Sequence, residues 1–100
     1  MPDLAGSSST SALLSEREFG MLRWRCRRGM LENDLLIERF FMRHGHRLTQ
    51  ADASLIQELM DLADNDLLDI LLARKPAAEL GDALARPEMG RILSLMQAKH

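Results

Sequence analysis

Residues 23–41, "RWRCRRGMLENDLLIERFF", decide how the chain is read. Four arginines, Arg23, Arg25, Arg27 and Arg28, fall within six positions. The run then meets Gly29 and continues as an acidic, apolar segment. Leu36 and Phe40, and Ile37 and Phe41, stand at i, i+4, with Leu31 and Leu35 in register nearby. That spacing belongs to a helix with one apolar face. Gly29 suits a helix end, because glycine takes positive φ without a Cβ penalty. The pattern predicts two helices joined by a glycine corner. The first runs from a cap at Ser15, with Glu16 and Glu18 in its first turn, to about Arg28. The second covers about 30–43.

Outward from this corner, "HGHRLT" at 44–49 closes the second helix, with Gly45 as the breaker. Thr49 caps a third helix, and Asp52 three residues later gives a weak capping box. Leu55, Ile56, Leu59, Met60 and Ala63 form its stripe. "ADND" at 63–66 is a turn with Asp64 or Asn65 as the next cap. The short helix "DLLDILLARK" ends where Pro76 forces Lys75 out of the α region. "AAELGDALAR" at 77–86 reads as one helical turn or two, interrupted at Gly81. Pro87 opens a last helix at N1, with Met89, Ile92, Leu93 and Met96 on one side.

No strand-like alternation, hairpin dipeptide or internal repeat is present. The expected fold is all-α, a small bundle of about five short helices. Residues 1–14, around "AGSSSTS", have the composition of a flexible tail, and 15–100 form a single domain.

Hydrophobic residues are 46% of the 100, enough for a core, while aromatics are only 4%. The core is therefore built from Leu, Ile, Met and Ala, mainly helix formers. The net charge of −2 argues against a general polyanion binder. The charge is unevenly spread. Residues 21–30 carry four positive charges and no negative ones, while Glu58, Asp61, Asp64, Asp66 and Asp69 crowd 58–69. One cysteine, Cys26, forms no internal disulfide, which suits a reducing compartment. There is no bilayer-length apolar run, and no basic and apolar leader at the N-terminus. The expectation is a cytoplasmic protein without membrane insertion.

Each chemical reading competes with a plainer one. The arginines and Trp24 offer charge and a stacking ring to a nucleic acid, but the patch is short and no helix-turn-helix pattern accompanies it. His44 and His46 beside Gly45 lack the paired spacing of a zinc site and read as loop residues. Cys26 between Arg25 and Arg27 would be acidified if exposed, yet a lone helical cysteine is more often a buried packing residue. No glycine-rich phosphate loop and no catalytic motif appear, so no enzyme is expected. "RGMLE" at 28–32 is explained by capping alone: Arg28 complements one helix end and Glu32 the other. It equally describes a corner offering opposite charges beside a glycine that lets another backbone approach.

The run "WRCRRGMLENDLLIERFF" resembles the small FAD assembly factors of succinate dehydrogenase, a bacterial family with mitochondrial relatives. Arg28, Gly29 and Glu32 carry its Arg-Gly-x-x-Glu motif, and Trp24, Cys26, Arg27, Met30, Leu31, Asn33 and Asp34 fit the flanks. "LTQADASLIQELMDLADNDLLDILLARKPA" resembles the family's third and fourth helices, and the likeness spans about 18–98. It departs at Ile70, often a tryptophan in the family, and at Arg74, often a glycine.

The resemblance implies a five-helix chaperone-like partner, not an enzyme. Its client would be the flavoprotein subunit of succinate dehydrogenase, and also that of fumarate reductase. It would promote covalent attachment of FAD to a client histidine, whose imidazole attacks the 8α-methyl of the flavin. FAD would belong to the client, with no cofactor or metal held stably by this chain. The partner-binding residues would be Arg28, Gly29 and Glu32, with Arg27, Met30, Asn33, Asp34 and Trp24 shaping the patch. Trp24 also reads as a core residue, since a lone tryptophan is usually well buried. The alternative is a small helical regulator that binds protein or nucleic acid through the basic patch at 23–28.

Overall fold

The structure is a computed structural model and describes residues 12–97. Five α-helices follow in order: α1 (Glu16–Arg25), α2 (Leu31–His44), α3 (Gln50–Leu59), α4 (Asp64–Leu71) and α5 (Pro87–Met96). A 3-10 turn, Gly45–Arg47, links α2 to α3, and two more, Ala77–Leu80 and Asp82–Ala85, link α4 to α5 around Gly81. The expected small all-α bundle is what forms. Among the described residues no helix is long and apolar enough to cross a membrane.

The helix starts follow their caps. Ser15 and Glu18 form a full capping box on α1, and Thr49 and Asp52 form one on α3. The Asp52 carboxylate is buried and also pairs with Arg91 of α5, which ties the start of α3 to the last helix. Pro87 stands at the start of α5. The α4 cap differs from expectation. Ala63 is the N-cap and Asp64 the first helical residue, because the Asp64 carboxylate is engaged elsewhere.

The end of α4 also differs. The helix stops at Leu71, before Pro76 acts on it. Ala73 takes φ +59, the Ala73 N–H donates to Ile70 O at 2.9 Å, and the Arg74 N–H donates to Asp69 O at 2.7 Å. Those two bonds are a Schellman motif with alanine where glycine is usual.

The core runs through the middle of the bundle. α2 gives it Ile37, Phe40 and Phe41; α3 gives Leu55, Ile56 and Leu59; α4 gives Leu67, Ile70 and Leu71. All four residues of the α5 stripe are buried. α2 packs on both α4 and α5, and α3 lies against α5. α1 joins through Leu22, Cys26 and Phe19, whose ring meets Phe41 edge-on at 5.5 Å. α2 ends with Gly45 as its C-cap, as expected, but the glycine there serves packing and not a left-handed turn. Its backbone is helical, and a Cβ there would come within 2.6 Å of the Phe19 ring.

Residues 1–11 of the expected tail lie outside the described residues. Residues 12–14 are held on the domain by an antiparallel bridge between Leu13 and Thr49. Flanking it, Leu14 N–H donates to Leu48 O and Gln50 N–H to Ala12 O, each at 3.0 Å.

Candidate functional site at the corner between the first two helices

α1 ends at Arg25 with Cys26 as its C-cap, so Arg27 and Arg28 lie beyond the helix that was expected to include them. The cause is Asp34, one turn into α2. Its carboxylate accepts the Arg28 N–H at 2.9 Å and the Gly29 N–H at 3.2 Å. An ionised acceptor makes such bonds strong, and it draws both residues out of helical register. Gly29 then turns the chain at φ +82, with open space where a Cβ would stand. The glycine answers a backbone demand and leaves the surface above it clear.

The arginine run divides when its partners are traced. Arg23 pairs with Glu38 of α2 and lies over the Phe19 ring at 5.7 Å. Arg25 donates to the Gln57 side chain at 3.4 Å. Arg28 turns inward to the Asp64 carboxylate at 2.6 Å and the Leu62 carbonyl at 2.6 Å, with a third bond to the Met60 carbonyl. Only Arg27 of the four lacks a partner among the described residues. A run with one unpaired guanidinium among the described residues is a poor phosphate track.

The expected site residues separate into two layers. On the surface stand Trp24, 75% exposed, with Arg27, Gly29 and Glu32. Of the two readings of Trp24, the surface one holds. Glu32 has no hydrogen-bond or ion-pair partner among the described residues. Beneath them, Met30 and Asp34 are half-buried and Arg28 is mostly covered. Asn33 corrects the expectation of a surface role, because its side chain is fully buried. Its amide nitrogen donates to Asp64 O at 3.1 Å and lies 3.4 Å from Met30 Sδ, while its Oδ1 has no partner.

Two residues of this face correct the reading that set them in register with the apolar stripe of the second helix. Leu31 and Leu35 are 71% and 52% exposed. Helical geometry carried the signal: Leu35 lies about 200° around α2 from Ile37, away from the core stripe. Beside Leu35, α1 and α2 enclose an open groove of about 410 Å³ lined by Trp24, Arg27, Ile37 and Glu38 among others.

Other chemistry is weak here. Cys26 is buried, and burial pushes its thiol up to about 12, against the pull of Arg28. A thiol so held is a poor nucleophile at neutral pH. His44 lies on the Phe40 ring, with centroids 5.6 Å apart, and accepts from Arg47 at 2.8 Å. Burial, with Arg47 and Arg43 nearby, lowers its pKa. Among the described residues no group of three or more ligand-type side chains could hold a metal.

Comparison with known proteins gives a consistent result. Residues 20–99 match the model of a family described as flavinator of succinate dehydrogenase. The chain is 49% identical over 77 residues to the FAD assembly factor SdhE of Ralstonia nicotianae, covering 77% of this chain and 78% of that one. It is 45% identical over 51 residues to the protein of that name from Coxiella burnetii, covering 51% and 62%. It is 37% identical over 68 residues to that of Legionella pneumophila strain Paris, covering 67% and 86%. No solved structure gives a significant match.

Proposed function

The chain belongs to the flavinator of succinate dehydrogenase family, and on that premise we propose that it binds the flavoprotein subunit of succinate dehydrogenase. It promotes covalent attachment of FAD there and performs no chemistry of its own. The docking face is the α1–α2 corner: Trp24, Arg27, Gly29 and Glu32, extended by Leu31 and Leu35. The observation that carries this reading is the Glu32 carboxylate, without a partner among the described residues, beside open space at Gly29 on a face that also exposes a tryptophan.

Such a face suits a protein partner. Large aromatic side chains with an arginine nearby make up the energetic centre of many interfaces. A carboxylate without an internal partner is free to make charge-assisted bonds that strengthen when the partner excludes water. The clear space at Gly29 admits a close backbone.

The chain acts by holding the client in the conformation where the client histidine and the flavin meet, a positioning effect. FAD supplies the electrophilic carbon when bound in the client. The residues that line the groove beside Trp24 form no glycine-rich phosphate turn, which supports leaving the dinucleotide to the client. We assign the flavin to the client and no stable cofactor to this chain. The fumarate reductase flavoprotein is a second client by the same contacts. The single free Cys26 supports a cytoplasmic site of action.

Titration calorimetry with the purified apo flavoprotein subunit tests the docking step. Binding is expected for the wild type, with at least a tenfold loss in Glu32→Ala, since one charge-assisted bond supplies that much. Equal affinity for both proteins, or none for either, contradicts it. The nucleic-acid alternative instead demands tight RNA or DNA binding that falls steeply with salt.

A further inference from the structure

Arg28 is the arginine of the Arg-Gly-x-x-Glu motif, yet its side chain is only 17% exposed and points into the molecule. Nε donates to the Asp64 carboxylate, Nη1 to Met60 O and Nη2 to Leu62 O. Met60 and Leu62 lie in the turn between α3 and α4, and Asp64 is the first residue of α4. Met60 caps the C-terminal end of α3, where carbonyls lack helical partners and the helix dipole is negative. A guanidinium answers both needs at once, and its planar fork reaches three acceptors that one ammonium does not.

A second link runs beside the first. Buried Asn33, in the first turn of α2, donates to the backbone carbonyl of the same Asp64. Asp34, next in sequence, receives the backbone N–H groups of Arg28 and Gly29. The links close a circuit: from the corner backbone through Arg28 to the 60–64 turn, through Asn33 into α2, and through Asp34 back to the corner.

We infer that Arg28 is a positioning residue that latches the α1–α2 corner to the α3–α4 turn, so that the partner meets a preset surface at Gly29 and Glu32. This rests on the docking reading above. Residues 26–30 are outside any helix, and a non-helical stretch containing glycine loses much freedom when ordered. Ordering it in the free protein removes that cost from the binding step. Client affinity then depends on Asp64, whose carboxylate orders the corner through the arginine.

The test joins a double-mutant cycle on client affinity to hydrogen exchange on the free protein. Arg28→Ala, Asp64→Ala and the pair are titrated with the apo flavoprotein subunit, at a temperature where each is folded. Each single change is expected to weaken binding on the order of tenfold. The pair is expected to weaken it no more than the worse single change, as for coupled residues. Hydrogen exchange in 60–66 should quicken in Arg28→Ala and in the milder Arg28→Lys, and stay unchanged in Glu32→Ala. Arg86→Ala, which removes an ion pair to Glu58 elsewhere, should lower stability without changing affinity.

Losses that multiply in the pair, or unchanged exchange in 60–66 in both Arg28 variants, would overturn the latch and make Arg28 a direct contact. Should Arg28→Ala fail to fold, Arg28→Lys and Asp64→Asn carry the same cycle. If the wild type fails to bind the client, the docking reading falls, while the exchange data still decide whether Arg28 holds the turn.

Discussion

At the residue scale, two glycines do different work. Gly29 turns the chain at positive φ in open space, while Gly45 keeps helical dihedrals and is glycine because the Phe19 ring occupies the Cβ position. Gly45→Ala is therefore expected to cost about 1–3 kcal/mol, the range for overpacking, read as a lower urea midpoint with unchanged slope. The sequence marked both positions as breakers and could not tell them apart, because the reason for Gly45 sits 26 residues away at Phe19. His44 carries the pH prediction. Its folded pKa lies below the usual histidine value, so the unfolded chain binds its proton more readily. Stability should fall as pH drops through about 6.5 and below. Chemical melts at pH 7.5 and 5.5 should show that loss, and His44→Gln should show less of it.

At the scale of elements, what was legible was local. Ser15, Thr49 and Pro87 announce their helices because each acts within three residues of itself. The end of α1 was not legible, since it depends on Asp34 reaching back to Arg28 and Gly29. The cap of α4 was missed for a similar reason: Asp64 looks like a capping residue, but its carboxylate belongs to Arg28. Pro76 was credited with ending α4, when Ala73 ends it in a left-handed turn. That turn costs an L-residue about 1 kcal/mol or more, and glycine is free of the penalty. Ala73→Gly should stabilise the protein by up to about 1 kcal/mol in a thermal or urea melt. An unchanged or lower stability would speak against the left-handed conformation at Ala73.

At the scale of the molecule, the bundle sets one corner to face outward with its support beneath. Trp24, Arg27 and Glu32 stand on the surface, while Arg28, Asn33 and Asp34 hold the backbone that presents them. The motif was visible in sequence, but its division of labour was not, because adjacent residues point to opposite sides of the chain only after it folds. The same folding accounts for the crowded arginines: Arg23, Arg25 and Arg28 pair within the domain.

The most direct test is mass-spectrometric detection of covalent flavin on the apo flavoprotein subunit of succinate dehydrogenase incubated with FAD. It is run with the wild-type chain, with Glu32→Ala and with no chain. Glu32 is exposed and has no partner among the described residues, so its removal should leave stability within about 0.5 kcal/mol. The expected result is a marked gain in flavin attachment with the wild type that Glu32→Ala does not give. No gain with the wild type, or an equal gain with Glu32→Ala, would contradict docking through this corner.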